Sequence, residues 1–195
     1  MNALLAFSRF VDRSNDFIGR MTSWLVLVAV LVSSGNATVR YLFNVSSNGW
    51  LELQWYLFSA IFLLCGGYAL LHNQHVRIDV IAGRLSRRAQ TWIEILGLVF
   101  FLFPMAILIM WLSWPVFMNA YVHDEVSTNA GGLVIWPARL LVPIGFFLLV
   151  MQGASELIKR VAFLMGRIPD PGDKNEITAE EQLALDMLKA RGEAA

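Results

Sequence analysis

The chain has 195 residues, of which 57% are hydrophobic and only 15% charged, and its 15 basic and 15 acidic side chains cancel to zero. Soluble domains carry roughly 25% charged residues, so this composition excludes an ordinary water-soluble fold. With no net positive charge and no clustered basic face, nucleic acid is excluded as a partner.

Residues 1–20 come first in chain order. Leu4, Phe7, Val11 and Ile18 recur near helical spacing, while Arg9, Asp12, Arg13 and Asp16 fill much of the rest. This predicts an amphipathic helix lying in the membrane interface, or a helical extension of the span that follows. A hydrocarbon core about 30 Å thick needs about 20 apolar residues at about 1.5 Å each. Four stretches reach that length, near 21–43, 50–71, 91–118 and 133–165. Each must be helical, because lipid offers backbone amides and carbonyls no partner. The first has too long an apolar stretch, behind too long a charged segment, to be a secretory signal.

Between the second and third spans, Val76, Ile78, Val80, Ile81 and Leu85 alternate with arginines over too short a distance to cross. A short interfacial helix starting near Asp79 is expected there, with Ser86 as N-cap of the third span. Pro104 is expected to kink that span. Gly66 and Gly67 form a small-residue patch in the second span, where another helix can approach. Pro169, Pro171 and Gly172 are expected to stop the fourth helix. Beyond them, Thr178 and Glu181 form a capping-box pattern before Leu183, Leu185 and Leu188, which predicts a short tail helix. The fold class is therefore all-α: an integral membrane protein with four transmembrane helices plus interfacial amphipathic helices. Its organisation is an N-terminal interfacial segment (1–20), a four-helix domain (21–168) and a cytoplasmic tail with a short helix (169–195).

Loop charges set the orientation. Arg9, Arg13 and Arg20 precede the first span, and the 44–49 turn is uncharged. Arg77, Arg84, Arg87 and Arg88 lie between spans two and three; Asp124 and Glu125 lie between spans three and four; Lys159, Arg160 and Arg167 come at the end. The positive-inside rule then puts both termini and the middle loop in the cytoplasm. Trp50, Trp55, Trp114 and Trp136 toward the outer face, with Trp24 and Trp92 toward the inner, form aromatic belts.

Ionisable residues within spans need a reason. Arg40, Glu52 and Arg139 share a depth near the outer face, with Ser33 and Asn36 preceding Arg40 at helical spacing. A structural ion cluster is expected, in which Glu52 pairs with Arg40, Arg139 or both. Glu94 and Glu156 fall near cytoplasmic ends, where headgroups or loops wet them, and Glu156 can pair with Arg160. The centre of the bilayer holds no carboxylate, lysine or histidine, unlike most ion and proton pathways.

Enzymatic and cofactor chemistry is not indicated. His72 and His75 lie on one side and His123 on the other, so no histidine pair from different helices can ligate haem. There is no Cys/His set for zinc, no nucleophilic triad and no phosphate loop. The lone Cys65 sits in an apolar run as a small packing residue. These arguments leave a subunit that scaffolds or completes something larger, or an independent four-span scaffold or assembly protein.

An ordered set of short elements narrows the choice. It comprises Arg40-Tyr41-Leu42-Phe43-Asn44, Trp50-Leu51-Glu52, Gly66-Gly67 and His75-Val76-Arg77-Ile78-Asp79-Val80, then His123-Asp124-Glu125-Val126-Ser127 with Trp136-Pro137. Together they resemble the small membrane subunit of tripartite ATP-independent periplasmic (TRAP) transporters, the DctQ-like family, over about residues 24–167. The resemblance implies a non-enzymatic subunit of the bacterial inner membrane, bound to a large TRAP membrane subunit that holds the sodium ions and the substrate. It also implies a periplasmic solute-binding protein that delivers an organic acid. No cofactor, metal or substrate site is expected in this chain. The small subunit would enlarge the static scaffold. His75, Arg77 and Asp79 would fix the cytoplasmic loop against the partner or a membrane lipid, and Glu125 and Trp136 would mark the family's outer loop.

Overall fold

The computed structural model describes residues 2–45, 47–73 and 85–169. The helix expected near Asp79, the His75–Arg77–Asp79 element and the tail helix after Thr178 lie outside the described residues. Four helices, each long and apolar enough to cross a membrane, make up the rest: α1 (Asn2–Phe43), α2 (Asn48–Leu71), α3 (Arg87–Val122) and α4 (Trp136–Leu164). The protein is an all-α, multi-pass membrane protein. Among the described residues the sole strand-like pairing is the bridge between Val126 and Val134.

α1 and α3 run one way and α2 and α4 the other. One end of the bundle, called proximal here, holds the start of α1 and the end of α4. The distal end holds the end of α1, the start of α2 and the 123–135 loop. α4 is the hub: it packs against each of the other three helices, whereas α1 and α3 flank it without substantial mutual contact. Close approach at the hub needs small residues. A methyl added at Gly145 of α4 would sit 2.8 Å from both the Cβ and the carbonyl oxygen of Leu63 in α2.

Local chemistry sets the helix ends. Ser86 caps α3 as the sequence indicates, its hydroxyl accepting the Ala89 N–H at 3.3 Å. α4 ends before the prolines expected to stop it. Gly166 takes a left-handed φ of +69° and donates to Phe163 O, while Arg167 donates to Ala162 O. These two bonds close a Schellman cap, which satisfies the last carbonyls without proline. Within α3, Leu98–Leu102 forms a π turn in which the Phe103 N–H reaches back to Leu98 O. Pro104 follows at once; it has no N–H, and its ring crowds the preceding turn, so the wider turn lets the helix continue.

Of the two forms expected for the N-terminal segment, the helical extension of the first span is the one observed. It is not set apart from the first span: α1 runs unbroken through residue 20, and its packed face is Ser8, Val11, Asn15, Gly19 and Thr22. Leu4, Phe7, Phe10 and Phe17 point outward. Burying a polar stripe and exposing an apolar one is the arrangement of a helix meeting lipid outside and hydrogen-bonding partners inside.

Candidate functional site

Three polar features stand out on this apolar scaffold: a buried ladder at the proximal end, a loop anchored at the distal end, and an open stripe on α1.

The ladder joins α1 to α4. Asn15 and Gln152 are 1% and 0% exposed, and the Asn15 amide donates to Gln152 Oε1 at 2.8 Å. Gln152 Nε2 in turn donates to Asp12 Oδ1 at 2.8 Å and to Glu156 at 3.3 Å. The Ser155 hydroxyl donates to Asp12 Oδ1 at 2.6 Å and lies 2.7 Å from the Ser8 hydroxyl. Lys159 bridges Asp12 at 3.1 Å and Glu156 at 2.5 Å. Arg160 pairs with Glu156, and its Nε meets Glu94 of α3 at 2.7 Å. On the α2 side, Asp16 binds Arg20 at 2.7 Å and faces His72 at 3.5 Å, with His72 stacked on Tyr68. Gly67 of α2 faces the Asn15 amide, where a Cβ would collide. The expected Glu156–Arg160 pair forms, but Glu156 is buried between helices and not wetted, because Lys159 and Arg160 close over it.

Gln152 lies about 24 Å along α4 from Trp136, so the ladder starts near the proximal edge of the hydrocarbon core and runs outward from it. The sequence reading missed Ser8, Asn15, Gln152 and Ser155. Their signal is present: Ser8, Asp12, Asn15, Gly19 and Thr22 repeat every three to four residues, and Gln152 and Glu156, like Ser155 and Lys159, are four apart on one face. Apolar residues at the same helical spacing mask this polar stripe.

At the distal end, Glu52 of α2 is 4% exposed and holds the loop between α3 and α4. It accepts from the Ser127 hydroxyl, from Asn129 Nδ2 at 2.8 Å and from the Leu133 N–H at 2.6 Å. The loop is a small hairpin: Ser127 N–H donates to Leu133 O at 2.9 Å, Ile135 N–H to Glu125 O at 2.9 Å, and Gly131 turns the chain at φ +71°. Asn48 holds Ala130 O at 3.1 Å, and the Tyr56 hydroxyl holds Val134 O at 3.0 Å. Arg139 meets Glu125 at 2.5 Å, and Asn119 donates to Glu125 at 2.8 Å. Trp136 packs edge-on against Tyr121 at 5.6 Å.

The expected ion cluster of Arg40, Glu52 and Arg139 is therefore corrected. Glu52 is satisfied by loop donors, not by arginine. Arg139 takes Glu125, which the hairpin brings to it. Arg40 lies on an exposed face of α1, and among the described residues it has no ion-pair partner. It borders a groove with Ser33, Asn36, Ala37, Tyr41, Asn44, Leu51 and Gln54. Among the described residues no group of three His, Cys, Asp or Glu side chains could hold a metal ion.

No curated protein matches the chain. A family model, described as tripartite ATP-independent periplasmic transporters, DctQ component, matches residues 29–163, well over half the chain. The matched region takes in the distal loop anchor, the open stripe of α1 and the α4 half of the ladder. The chain thus belongs to the DctQ family: it is the small permease subunit of a tripartite ATP-independent periplasmic transporter, a transport component and not an enzyme.

Proposed function

We propose that this subunit forms a fixed membrane scaffold for a large permease subunit, and that the pair takes up an organic acid delivered by a periplasmic binding protein and driven by sodium. The family match across residues 29–163 carries this reading. Two features of the fold support it. α4 is bonded to its neighbours at both ends of the bundle, which suits a part that stays still. The long helices also leave large apolar side chains outward, among them Phe62, Phe101 and Trp111, as lipid and a partner's helices require. The test is uptake in cells expressing the binding protein and the large subunit, with and without this chain. Sodium-dependent uptake of a carboxylate only when all three are present is expected; equal uptake without this chain would leave the independent-scaffold reading in its place.

The proximal end faces the cytoplasm of the bacterial inner membrane in this reading, and the distal hairpin faces the periplasm. Arg9, Arg13, Arg20, Arg87, Arg88 and Arg167 all cluster at the proximal end. The tail 169–195 is then cytoplasmic, and His75, Arg77 and Asp79 contact the large subunit or an anionic lipid headgroup. Single alanine substitutions of Arg77 and Asp79 test that contact through co-purification and uptake.

A further inference from the structure

The distal half of α1 is a membrane-spanning surface that carries polar side chains. Ser33, Asn36 and Arg40 lie on one face at helical spacing, and Gln54 of α2 and Asn44 adjoin them along one groove. Among the described residues none of these five side chains has a hydrogen-bonding or ionic partner. Arg40 lies about 4.5 Å along the helix from its end at Phe43, and Ser33 about 15 Å, which reaches half the depth of the hydrocarbon core. A lipid phosphate would satisfy Arg40 and Asn44 at headgroup depth. It would leave Asn36 and Ser33 facing acyl chains. Polar side chains at that depth are met by a neighbouring helix.

We infer that the Ser33–Asn36–Arg40 stripe of α1, with Gln54 of α2, is the docking face for a transmembrane helix of the large subunit that carries a carboxylate at the depth of Arg40. This rests on the reading of the chain as a small permease subunit and names the surface it uses. Charge complementarity selects the occupant. A second copy of this chain is a poor one, because its Glu52 and Glu125 are already engaged and its exposed Asp124 lies in the loop beyond the end of α3, outside the depth of Arg40. α3 packs on α4 without substantial contact with α1, so its outward face, with Phe101 and Trp111, lies away from this groove.

The test uses the full chain, tagged and co-expressed with its large subunit, with Cys65 replaced by alanine. A cysteine at Asn36 should cross-link to the large subunit, and one at Phe101 should not. Arg40→Glu should lower recovery of the large subunit at least tenfold, whereas Arg40→Lys retains most of it. Among the described residues Arg40 has no partner, so both variants should purify as monodisperse protein with unchanged helix content. Cross-linking from Phe101 but not Asn36 would overturn the surface, as would full recovery with Arg40→Glu. A homodimer trapped through Asn36 would overturn it in favour of a second copy. Loss of bound phospholipid with Arg40→Glu, at full recovery of the large subunit, would overturn it in favour of a headgroup. If the unsubstituted chain fails to bring down the large subunit, the small-permease reading fails and takes this surface with it.

Discussion

Individual side chains decide how closely these helices approach. Gly145 meets Leu63 at both side chain and backbone, and backbone cannot step aside, so Gly145→Val should cost about 1–3 kcal/mol. Gly66 has nothing within 4 Å of an added methyl, so Gly66→Ala should be neutral in the same unfolding assay. A comparable loss at both positions would show that the α2–α4 contact is misplaced. Of the glycine pair singled out in the sequence, only Gly67 is packed, because only it faces the Asn15 amide. Glu156 is the other decisive side chain. Glu156→Ala would leave Lys159 and Arg160 without a shared buried partner, at a cost of about 3 kcal/mol. Thermal unfolding in detergent measures it, and an unchanged midpoint would mean that water reaches the site.

Between elements, polar bonds set the register of α1 on α4. Interhelical hydrogen bonds in membrane proteins contribute about 0.6 kcal/mol on average. A double-mutant cycle with Asn15→Ala and Gln152→Ala should therefore give a coupling near that size, and zero coupling would exclude the bond. Sliding α1 by one turn would break the contacts of Ser8, Asp12 and Asn15 together, so the ladder specifies position more than it adds stability. At the distal end, Glu52→Gln replaces an anion that three donors address. The 126–134 hairpin should then loosen, and protease added outside spheroplasts should cut it faster than in the unsubstituted chain, with the helices intact. Equal cutting rates would indicate that Asn48 and Tyr56 hold the loop without Glu52.

For the whole molecule, orientation and assembly are the questions. A single cysteine at Asn129 should react with an impermeant thiol reagent from the periplasmic side, and one at Arg167 only after the membrane is opened. The reverse pattern would invert the proposed topology. The number of spans, the all-helical class and the family were legible in the residue order, because lipid permits few backbone solutions and 20 apolar residues in a row have one reading. Trp136 and Glu125 were legible as a motif but not as an arrangement: Glu125 reaches Arg139 only because the hairpin folds back. The partner of Glu52 was misread for the same reason. Depth along the helices placed three charges at one level, but depth is a single coordinate. Which way each side chain faces around its helix depends on packing.

Composition and apolar run lengths were enough to establish a four-span helical protein, since the cost of an unpaired backbone group in hydrocarbon admits nothing else. Only the tertiary structure decided which face of each helix turns inward. α1 shows why: its apolar and polar stripes are both helical in period, and periodicity alone cannot say which one lipid will take. The pairing of Ser8, Asp12 and Asn15 with α4 settles that, and it leaves Arg40 outward at the other end of the same helix.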